Sequence, residues 1–335
     1  MTILDDCIAA CREKPGTIVF PDCLDQRILT AASRLKEEKL AFPVLVQSPF
    51  AIRRKILDAK HPLSGFTVID PTSHGLLAQN INTYTKILEA KGKLVSPDKI
   101  ETAMRCSLAA SAMMVRRGDV EIGVAGNLSS TAAVIKAGIS ILSRKQKTIS
   151  SFFLMIAPNG EHQYILADCA VVPEPSSDTL ADIAIASAEK AKNLLKEEPR
   201  VAMLSFSTKG SSKHPRTDII REAVEKVRHR APDILIDGEL QLDAAIVPNV
   251  ASMKAPGSVI NGKANVLVFP SLESGNIAYK MLQRMAGYTA LGPFLQGFQG
   301  GWHDLSRGCS AEEIFNVAVL GLCMQRGSMV SPTTA

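Results

Sequence analysis

The sequence Val120-Glu-Ile-Gly-Val-Ala-Gly-Asn-Leu-Ser-Ser-Thr131 begins as an apolar segment and ends in residues that favour a helix start. We predict a buried strand over Val120–Ala125 and a helix over Ala132–Leu142. The same succession of a short apolar strand and a helix recurs upstream. Its strands are predicted at Thr17–Phe20, Pro43–Gln47 and Thr67–Ile69. This alternation predicts an α/β fold with a parallel sheet covered by helices on both faces.

The turn between this strand and helix carries a candidate anion site. Ligands of open α/β sheets bind beyond the carboxyl ends of the strands, and helix N-termini present free N–H groups to anions. Ser129, Ser130 and Thr131 add three hydroxyls, and Lys136 follows in the helix. The alternative is that the hydroxyls only cap the helix. Because three hydroxyls exceed the need of one cap, we predict an anion site here.

The strand and helix pattern restarts in the second half of the chain, and 335 residues fit two domains. The strands of this second half are predicted at Ser151–Ala157, Tyr164–Val172, Arg200–Ser205, Ile234–Ile236 and Asn265–Phe269.

Two further predictions concern single segments. Ile100–Arg117 is predicted as one long apolar helix, and Gly292–Gly297 as a loop through which no strand runs.

Composition narrows the class of protein. The chain is 46% hydrophobic and 21% charged, with a net charge of +5 and no basic block interleaved with aromatics, so a nucleic-acid partner is not expected. The seven cysteines show no metal-ligand spacing and indicate a reducing compartment. No signal peptide or apolar run of about 18 residues is evident, so we expect a cytoplasmic protein without a membrane partner.

The stretch His303–Glu313 is a candidate catalytic loop. Ser306 offers a hydroxyl, Arg307 a permanent positive charge, and Glu313 a carboxylate one helical turn further on. Such a set suits acyl transfer between a phosphate and a thiol. Two other interpretations stay open. Ser310 and Glu313 match a capping box, and Asp304 matches a turn residue that bonds its own backbone.

A second loop, Phe206–His214, follows a predicted strand and contains Ser207, Thr208, Lys209 and Gly210. Its hydroxyls, N–H groups and lysine could hold a nucleotide phosphate, although its glycine spacing is not that of a Walker A motif. The alternative is a solvated loop. Asp237, Glu239 and Asp243 could bind a metal, but His or Cys companions are missing from their surroundings.

Several ordered stretches resemble the phosphate acetyltransferase (phosphotransacetylase) family over about residues 15–325. Within the family, Gly126–Thr131 and His303–Arg307 are most similar to the ethanolamine-utilization phosphotransacetylase branch. The matching stretches are Phe20-Pro-Asp, Asp25-Gln-Arg27, Val124–Ala132, Val201–Ser211, Asp237–Ala245, Lys254-Ala-Pro, Ala264–Pro270, Gly275–Lys280, Gly292–Gly297 and Asp304–Ser310.

The resemblance implies the reaction acetyl phosphate + CoA ⇌ acetyl-CoA + phosphate by direct transfer in a ternary complex. It implies two α/β domains with an interdomain cleft, as in isocitrate and isopropylmalate dehydrogenases. The first domain would be 1–146 plus 298–335, closed by the C-terminal helix, and the second 147–297. It also implies a homodimer, CoA as substrate with no cofactor or metal, and a cytoplasmic location, with a bacterial microcompartment lumen as the alternative.

Site residues follow from the same resemblance. Ser306 and Arg307 match the family's active-site pair, and Glu313 falls where relatives place an aspartate proposed as general base. Lys136 falls where many members have an arginine for the acyl phosphate. Another family arginine falls within Tyr84–Gly92, where this chain offers only lysines. Further substrate contacts are Gln296 for acyl phosphate and Asn276 and Tyr279 for CoA, beside the Ser207–Gly210 loop.

Three alternatives to this function remain open at this point. A phosphate butyryltransferase or propionyltransferase would differ only in the size of its acyl pocket. A metal- and NAD-dependent dehydrogenase of the same fold would need converging aspartate ligands. A catalytically weak subunit that serves assembly is the third, and the intact Ser306-Arg307 pair speaks against it.

Overall fold

The computed structural model describes residues 3–58, 66–195 and 197–326, which belong to two compact units. Unit 1 comprises Met1–Lys145 and Phe298–Ala335, and unit 2 comprises Gln146–Gly297. The chain ends at 1–2 and 327–335, which the predicted first domain includes, lie outside the described residues.

The described residues form eleven strands and thirteen helices. The strands are β1 (Gly16–Phe20), β2 (Ala41–Val46), β3 (Thr67–Ile69), β4 (Ile122–Ala125), β5 (Ser150–Ile156), β6 (Gln163–Ala167), β7 (Arg200–Leu204), β8 (Leu235–Leu240), β9 (Val266–Val268), β10 (Thr289–Gln296) and β11 (Gly301–Asp304). The helices are α1 (Ile3–Glu13), α2 (Gln26–Glu37), α3 (Pro49–Asp58), α4 (His74–Ala90), α5 (Pro97–Met104), α6 (Ser107–Arg117), α7 (Thr131–Ile141), α8 (Ser177–Leu194), α9 (Pro215–Arg230), α10 (Leu242–Ile246), α11 (Pro248–Lys254), α12 (Leu272–Met285) and α13 (Ala311–Arg326).

Unit 1 is built on a parallel sheet of order β11-β4-β1-β2-β3. The central strands are apolar and buried, as expected for strands covered on both faces. Trp302 is buried on β11, and its indole N–H donates to Val134 O at 3.0 Å, which ties α7 to the sheet. The carboxyl ends of β1, β4 and β11 therefore lie side by side at one edge.

The C-terminal helix α13 completes unit 1 by packing against α1, α2 and β11. Its apolar residues are buried from Ile314 to Met324. Near its end, the Arg326 guanidinium donates to both carboxylate oxygens of Glu121, at 2.7 and 2.8 Å. The two sequence segments of unit 1 are thus joined by a buried helix and a partly buried ion pair.

Unit 2 is built on a mixed sheet of order β10-β5-β6-β9-β7-β8. The pairs β10–β5 and β5–β6 are antiparallel, and the remaining pairs are parallel. Phe153, Leu166 and Tyr279 belong to its core, together with residues of β7, β8, β9 and α10. The predicted α/β class is confirmed for both units.

Two sequence expectations were wrong. Strand β10 runs through Gly292 and Pro293, which were predicted to lie in a loop. It can do so because β10 is an edge strand whose register shifts between Leu291 and Phe294, where proline's missing N–H is tolerated. The predicted helix Ile100–Arg117 is broken at Cys106, whose ψ of 129° is extended, so that α5 and α6 are separate.

No helix in the described ranges has both the length and the apolar character needed to cross a bilayer.

Candidate active site

Three loops meet at the carboxyl edge of the unit 1 sheet. They follow β1, β4 and β11 and lead into α2, α7 and α13. Because parallel strands end at the same edge, residues far apart in sequence come into contact there. The hydrogen bonds below connect all three loops and define the candidate site.

The turn after β4 is organised around Asp22, a buried carboxylate from the loop after β1. Asp22 Oδ2 accepts from the N–H groups of Gly126, Leu128 and Ser129 at 2.9, 3.3 and 2.9 Å. Its Oδ1 accepts from Ser129 Oγ at 2.7 Å. The chain's own carboxylate therefore uses N–H groups that we expected to cradle a phosphate.

The other two hydroxyls of the predicted anion site also have internal partners. Ser130 is the N-cap of α7 and accepts from Ala133 N at 3.2 Å, as the capping alternative predicted. Thr131 forms a side-chain hydrogen bond with Asp304. Lys136, by contrast, is exposed on α7 and has no hydrogen bond or ion pair with another described residue. Its ammonium is the group of this region that remains available to an anion.

Asp304 is a strand residue and not the turn residue of the open alternative, although its carboxyl does accept from the adjacent Leu305 N–H. It is the last residue of β11, pairs in register with Ala125, and is 1% exposed. Burial raises the pKa of Asp304 to about 7, and the nearby Asp22 adds to the rise. Hydrogen bonds from Thr131 and from the Leu305 N–H act in the opposite direction. A carboxyl that titrates near neutrality thus lies just before Ser306.

Ser306 and Arg307 lie on an exposed turn directly after β11. Cys309 N donates to Ser306 O at 3.0 Å and closes this turn. The Arg307 guanidinium forms no hydrogen bond or ion pair with the rest of the described chain. Cys309 is buried, which raises the pKa of its thiol to about 11, so it is a packed thiol. The turn therefore presents a hydroxyl and an uncommitted guanidinium to solvent.

Sequence reasoning missed the role of Arg27, on the first turn of α2. Its Nη1 donates to Arg307 O at 2.8 Å and to Cys309 O at 2.6 Å. Its Nη2 donates to Asp25 Oδ2 at 2.6 Å and to Asn127 O at 3.3 Å. One guanidinium thus contacts all three loops. The available signal was the motif Asp25-Gln-Arg27, which carries no information about its distant acceptors.

Glu313 forms the predicted capping box at the start of α13. Glu313 Oε2 accepts from Ser310 N at 2.7 Å, and Glu313 N donates to Ser310 Oγ at 3.1 Å. The capping role that was the alternative to catalysis for Glu313 is therefore observed. A role in proton transfer remains a prediction, and it would require the carboxylate to serve both purposes.

The Tyr84–Gly92 segment, for which the family resemblance implies an arginine, borders a cavity of about 570 Å³ in unit 1. Its described lining includes Lys91, Lys93, Arg116 and Arg144 and no acidic side chain. Lys91 Nζ donates to the carbonyls of Ile139 and Ser140, at the last turn of α7. Burial lowers the pKa of Lys91, with neighbouring cations contributing. Lys91 therefore caps α7 in this structure. Lys86 is exposed and does not line this cavity.

In unit 2, the loop after β7 is held by Glu239, which is fully buried on β8. Glu239 Oε1 accepts from Ser207 Oγ at 2.9 Å and from Gly210 N at 2.8 Å. The Lys209 ammonium pairs with the buried Asp237. Ser207 and Thr208 are buried, whereas Lys209 and Gly210 are exposed. Much of the predicted phosphate cradle is thus committed to the protein itself.

The three acids considered as metal ligands do not converge. Asp237 pairs with Lys209, Glu239 holds the loop after β7, and Asp243 pairs with Lys254 at 2.7 Å. Within the described part of the chain, no group of three or more potential metal-ligating side chains is present.

Two further predicted contacts lie in the interior of unit 2. Gln296 is 2% exposed, and its amide donates to Ser150 Oγ at 2.9 Å and to Ser187 Oγ at 3.1 Å. Tyr279 is 7% exposed and stacks on Phe153 with ring centroids 4.0 Å apart. Both side chains therefore have internal contacts in this structure. Substrate contacts by Gln296 and Tyr279 stay predictions.

Asn276 differs from them because it is half-buried. Its amide donates to Cys169 O at 3.1 Å, at the carboxyl end of β6. It can face a ligand only in part, and a contact with CoA stays a prediction.

Comparisons with known proteins agree over nearly the whole chain. A family model described as Phosphate acetyl/butaryl transferase matches residues 2–322. The phosphate acetyltransferase of Bacillus subtilis (strain 168) is 41% identical over 307 residues, which are 92% of this chain and 94% of the relative.

Two solved structures share the fold. A phosphotransacetylase from Streptococcus pyogenes has a TM-score of 0.90 at 36% identity, covering 98% of this chain and 100% of that chain. The EutD phosphotransacetylase from Staphylococcus aureus has a TM-score of 0.87 at 36% identity, covering 96% and 98%.

These findings confirm the predicted family and the predicted acyltransferase activity. The Ser306-Arg307 turn, Lys136 and α13 as far as Leu322 lie within the matched residues. The chain therefore belongs to the phosphate acetyl/butaryl transferase family and is a phosphate acetyltransferase.

Proposed function

We propose that the chain transfers an acetyl group directly between acetyl phosphate and the thiol of CoA while both substrates are bound. The observation that carries this proposal is the exposed Arg307 guanidinium, uncommitted among the described residues, beside the Ser306 hydroxyl. A guanidinium presents donors in a planar fork that matches phosphate oxygens. Its turn is anchored by Arg27, so the charge is held in place before substrate arrives.

The chemistry requires a deprotonated sulfur. A thiol with a pKa of roughly 8.5 is only a few per cent ionised near neutrality. The thiolate attacks the carbonyl carbon, a C–S bond forms, the C–O bond to phosphate breaks, and phosphate leaves with the electron pair. In this scheme Ser306 orients the sulfur or the reacting oxygens, and Arg307 stabilises charge on the carbonyl oxygen and the departing phosphate. Donors arranged in advance are usually the largest catalytic contribution.

We propose that Glu313 accepts the proton of the thiol. Its carboxylate lies in the same segment as Ser306 and Arg307, at the start of α13. Because Oε2 accepts from Ser310 N, the cap contact would have to be shared or broken during proton transfer. General-base catalysis of this kind contributes typically 10²–10⁴-fold in rate.

For the acyl phosphate we propose Lys136 as the second cation. The support is its exposure on the helix that starts beside the Ser306 turn, without a described partner. Ser129, Ser130 and Thr131 would then act mainly by shaping that helix start, since each already has an internal hydrogen bond. A lysine lacks the bidentate fork of an arginine, so we expect a weaker phosphate contact.

For CoA we propose Lys209, Gly210 and Asn276 as contacts in unit 2. Lys209 and Gly210 are the exposed members of the loop after β7. Ser207 and Thr208 would support that loop through Glu239 and Gln241 without touching the ligand.

A thioester-absorbance assay tests the function. CoA is mixed in turn with acetyl, propionyl and butyryl phosphate, and we expect the highest kcat/KM for acetyl phosphate. A tenfold preference for butyryl phosphate would make the chain a phosphate butyryltransferase. If none of the three acyl phosphates gives a thioester, transferase activity is contradicted. That result would favour a catalytically weak subunit that serves assembly.

We also propose a homodimer in the cytoplasm, with a place in an ethanolamine-utilization microcompartment as the alternative. The support is the motif resemblance to that branch. Light scattering should give about twice 36.0 kDa for the purified protein. A monomer at assay concentration would contradict the dimer.

A further inference from the structure

Arg27 takes no direct part in the reaction scheme, but it anchors the turn on which the scheme depends. Its guanidinium lies beneath the turn that carries Ser306 and Arg307, and it donates to two carbonyls of that turn, Arg307 O and Cys309 O. Those acceptors are 280 and 282 residues away in sequence. Within the turn itself, Cys309 N to Ser306 O is the backbone hydrogen bond that closes it. Arg27 is therefore a principal link between the turn and the sheet edge.

The turn needs such a link because its own sequence is permissive. Gly308 follows Arg307, and a Cβ placed on Gly308 would meet no atom within 4 Å. Glycine also has the largest backbone freedom of any residue. Steric contacts alone therefore do not fix the conformation of the peptide that follows Arg307. Hydrogen bonds from a charged donor such as Arg27 stabilise a structure by about 1.5–3 kcal/mol each.

Arg27 is itself fixed by Asp25. The Arg27 Nε donates to both carboxylate oxygens of Asp25 at 3.1 Å, and Nη2 donates to Oδ2 at 2.6 Å. Burial acts to raise the pKa of Asp25, but the hydrogen bonds from Arg27 and Asn127 hold it below its ordinary value. The pair therefore stays ionised at neutral pH, and most of the positive charge of Arg27 is compensated before any substrate binds.

We infer that Arg27 is a positioning residue that acts through Arg307: it holds the carbonyls of the Ser306–Cys309 turn so that the Arg307 guanidinium meets the phosphate in a fixed place. This rests on the proposed role of Arg307. A displacement of about 1 Å at a reacting centre can cost 10²-fold in rate. The effect belongs to kcat, because orientation matters more in the transition state than in binding.

The test is Arg27→Lys, which keeps the charge beside Asp25 but cannot span both carbonyls and the carboxylate. We expect kcat to fall about 10- to 100-fold while both KM values change less than threefold. Arg34→Lys is the matched control, since Arg34 also lies on α2 and pairs with Glu38 and Glu312 but does not contact the turn. We expect it to retain wild-type kcat.

A double-mutant cycle separates positioning from direct contact. In an Arg307→Ala background, Arg27→Lys should lower kcat less than twofold further, because the group it positions is already absent. Full additivity of the two losses would overturn the inference. So would a tenfold rise in the KM for acetyl phosphate with unchanged kcat, which would make Arg27 a direct substrate contact.

Folding is checked in the same samples. Trp302 is the single tryptophan and is buried in unit 1, so its fluorescence during urea unfolding reports that unit. Arg27→Gln, which keeps an uncharged amide donor group, serves as a second variant if Arg27→Lys unfolds early. If Arg307→Ala proves fully active, the proposed function fails. If Arg307→Ala is impaired but Arg27→Lys is not, only this inference fails.

Discussion

At the scale of single residues, two buried carboxyl groups beneath the site have different hydrogen-bond partners. Asp22 accepts four hydrogen bonds from the turn after β4. Asp304 is more deeply buried, and burial raises its pKa to about 7. The sequence shows two aspartates in loop-like surroundings and gives no measure of burial. This contrast could therefore not be predicted before the strands were placed.

Asp304 gives unit 1 a predictable pH dependence. Between about pH 4 and pH 7 the unfolded chain ionises this carboxyl while the folded chain keeps it protonated, so stability falls as pH rises. The slope is at most about 1.4 kcal/mol per pH unit, and it vanishes above the folded pKa. Asp304→Asn removes this contribution. The free energy of unfolding of the variant minus that of the wild type should therefore increase from pH 4 to pH 7.

Urea unfolding followed by Trp302 fluorescence at several pH values measures that difference. Asp243→Asn is a surface control, since the Asp243 side chain is 47% exposed and paired with Lys254. A stability difference between Asp304→Asn and wild type that does not change with pH would contradict the raised pKa.

Glu313 has a cap role that is observed and a base role that is proposed. Glu313→Gln keeps an oxygen that can accept from Ser310 N but cannot take a proton. We expect kcat to fall by 10²–10⁴-fold if the residue is the base. Ser310→Ala removes the other half of the capping box at about 1 kcal/mol and should leave kcat within about threefold. Unchanged kcat in Glu313→Gln would leave this residue as a cap alone.

At the scale of elements, the strands that could be predicted are those with apolar runs. β1 and β4 lie within two residues of their predicted bounds because burial on both faces requires such runs. β3 also matches its predicted bounds, although it is an edge strand without a buried residue. β11, by contrast, reads Gly-Trp-His-Asp and was taken as part of a loop. It becomes a strand because β4 supplies a parallel partner. That pairing lies about 180 residues away in sequence, and local patterns do not report it.

Gly126 shows how closely these elements approach at the site. Its φ of +112° and the nearby Asp304 carboxylate leave no room for a side chain, and a Cβ would lie 2.7 Å from Leu305 N and O. We expect Gly126→Ala to destabilise unit 1 by about 2–4 kcal/mol through backbone strain and overpacking. Urea unfolding followed by Trp302 fluorescence measures this loss.

Gly75→Ala is the control for that substitution, because Gly75 lies in α4 and a Cβ there meets nothing within 4 Å. It should be neutral or slightly stabilising. Equal stability of the two variants would contradict the close packing of the turn after β4 against β11.

At the scale of the whole molecule, the chain leaves unit 1 after residue 145 and returns at 298. Unit 1 depends on α13, which brings Cys323 to within 3.8 Å of Cys11 in α1. Unit 2 is continuous and has its own core. The resemblance to a known family implies a discontinuous first domain of 1–146 plus 298–335. Composition and hydropathy alone predicted two domains but gave no sign that the first is discontinuous.

We propose that unit 2 folds independently, as expected for a compact continuous unit with its own core. A fragment of residues 146–297 should show a cooperative thermal transition by circular dichroism. The fragment of residues 1–145, which lacks α13, is the matched comparison and should not. A non-cooperative 146–297 fragment would contradict the proposal that it is a domain.

In the proposed mechanism the Arg307 guanidinium receives the phosphate during acyl transfer. The most direct measurement is the steady-state rate of acetyl-CoA formation by Arg307→Ala with both substrates saturating. We predict a kcat lowered by about 10²–10³-fold, in line with the loss of a preorganised donor. The Trp302 unfolding midpoint should stay unchanged, since the exposed Arg307 side chain forms no hydrogen bond or ion pair with a described residue. A kcat within a few-fold of wild type would contradict the account.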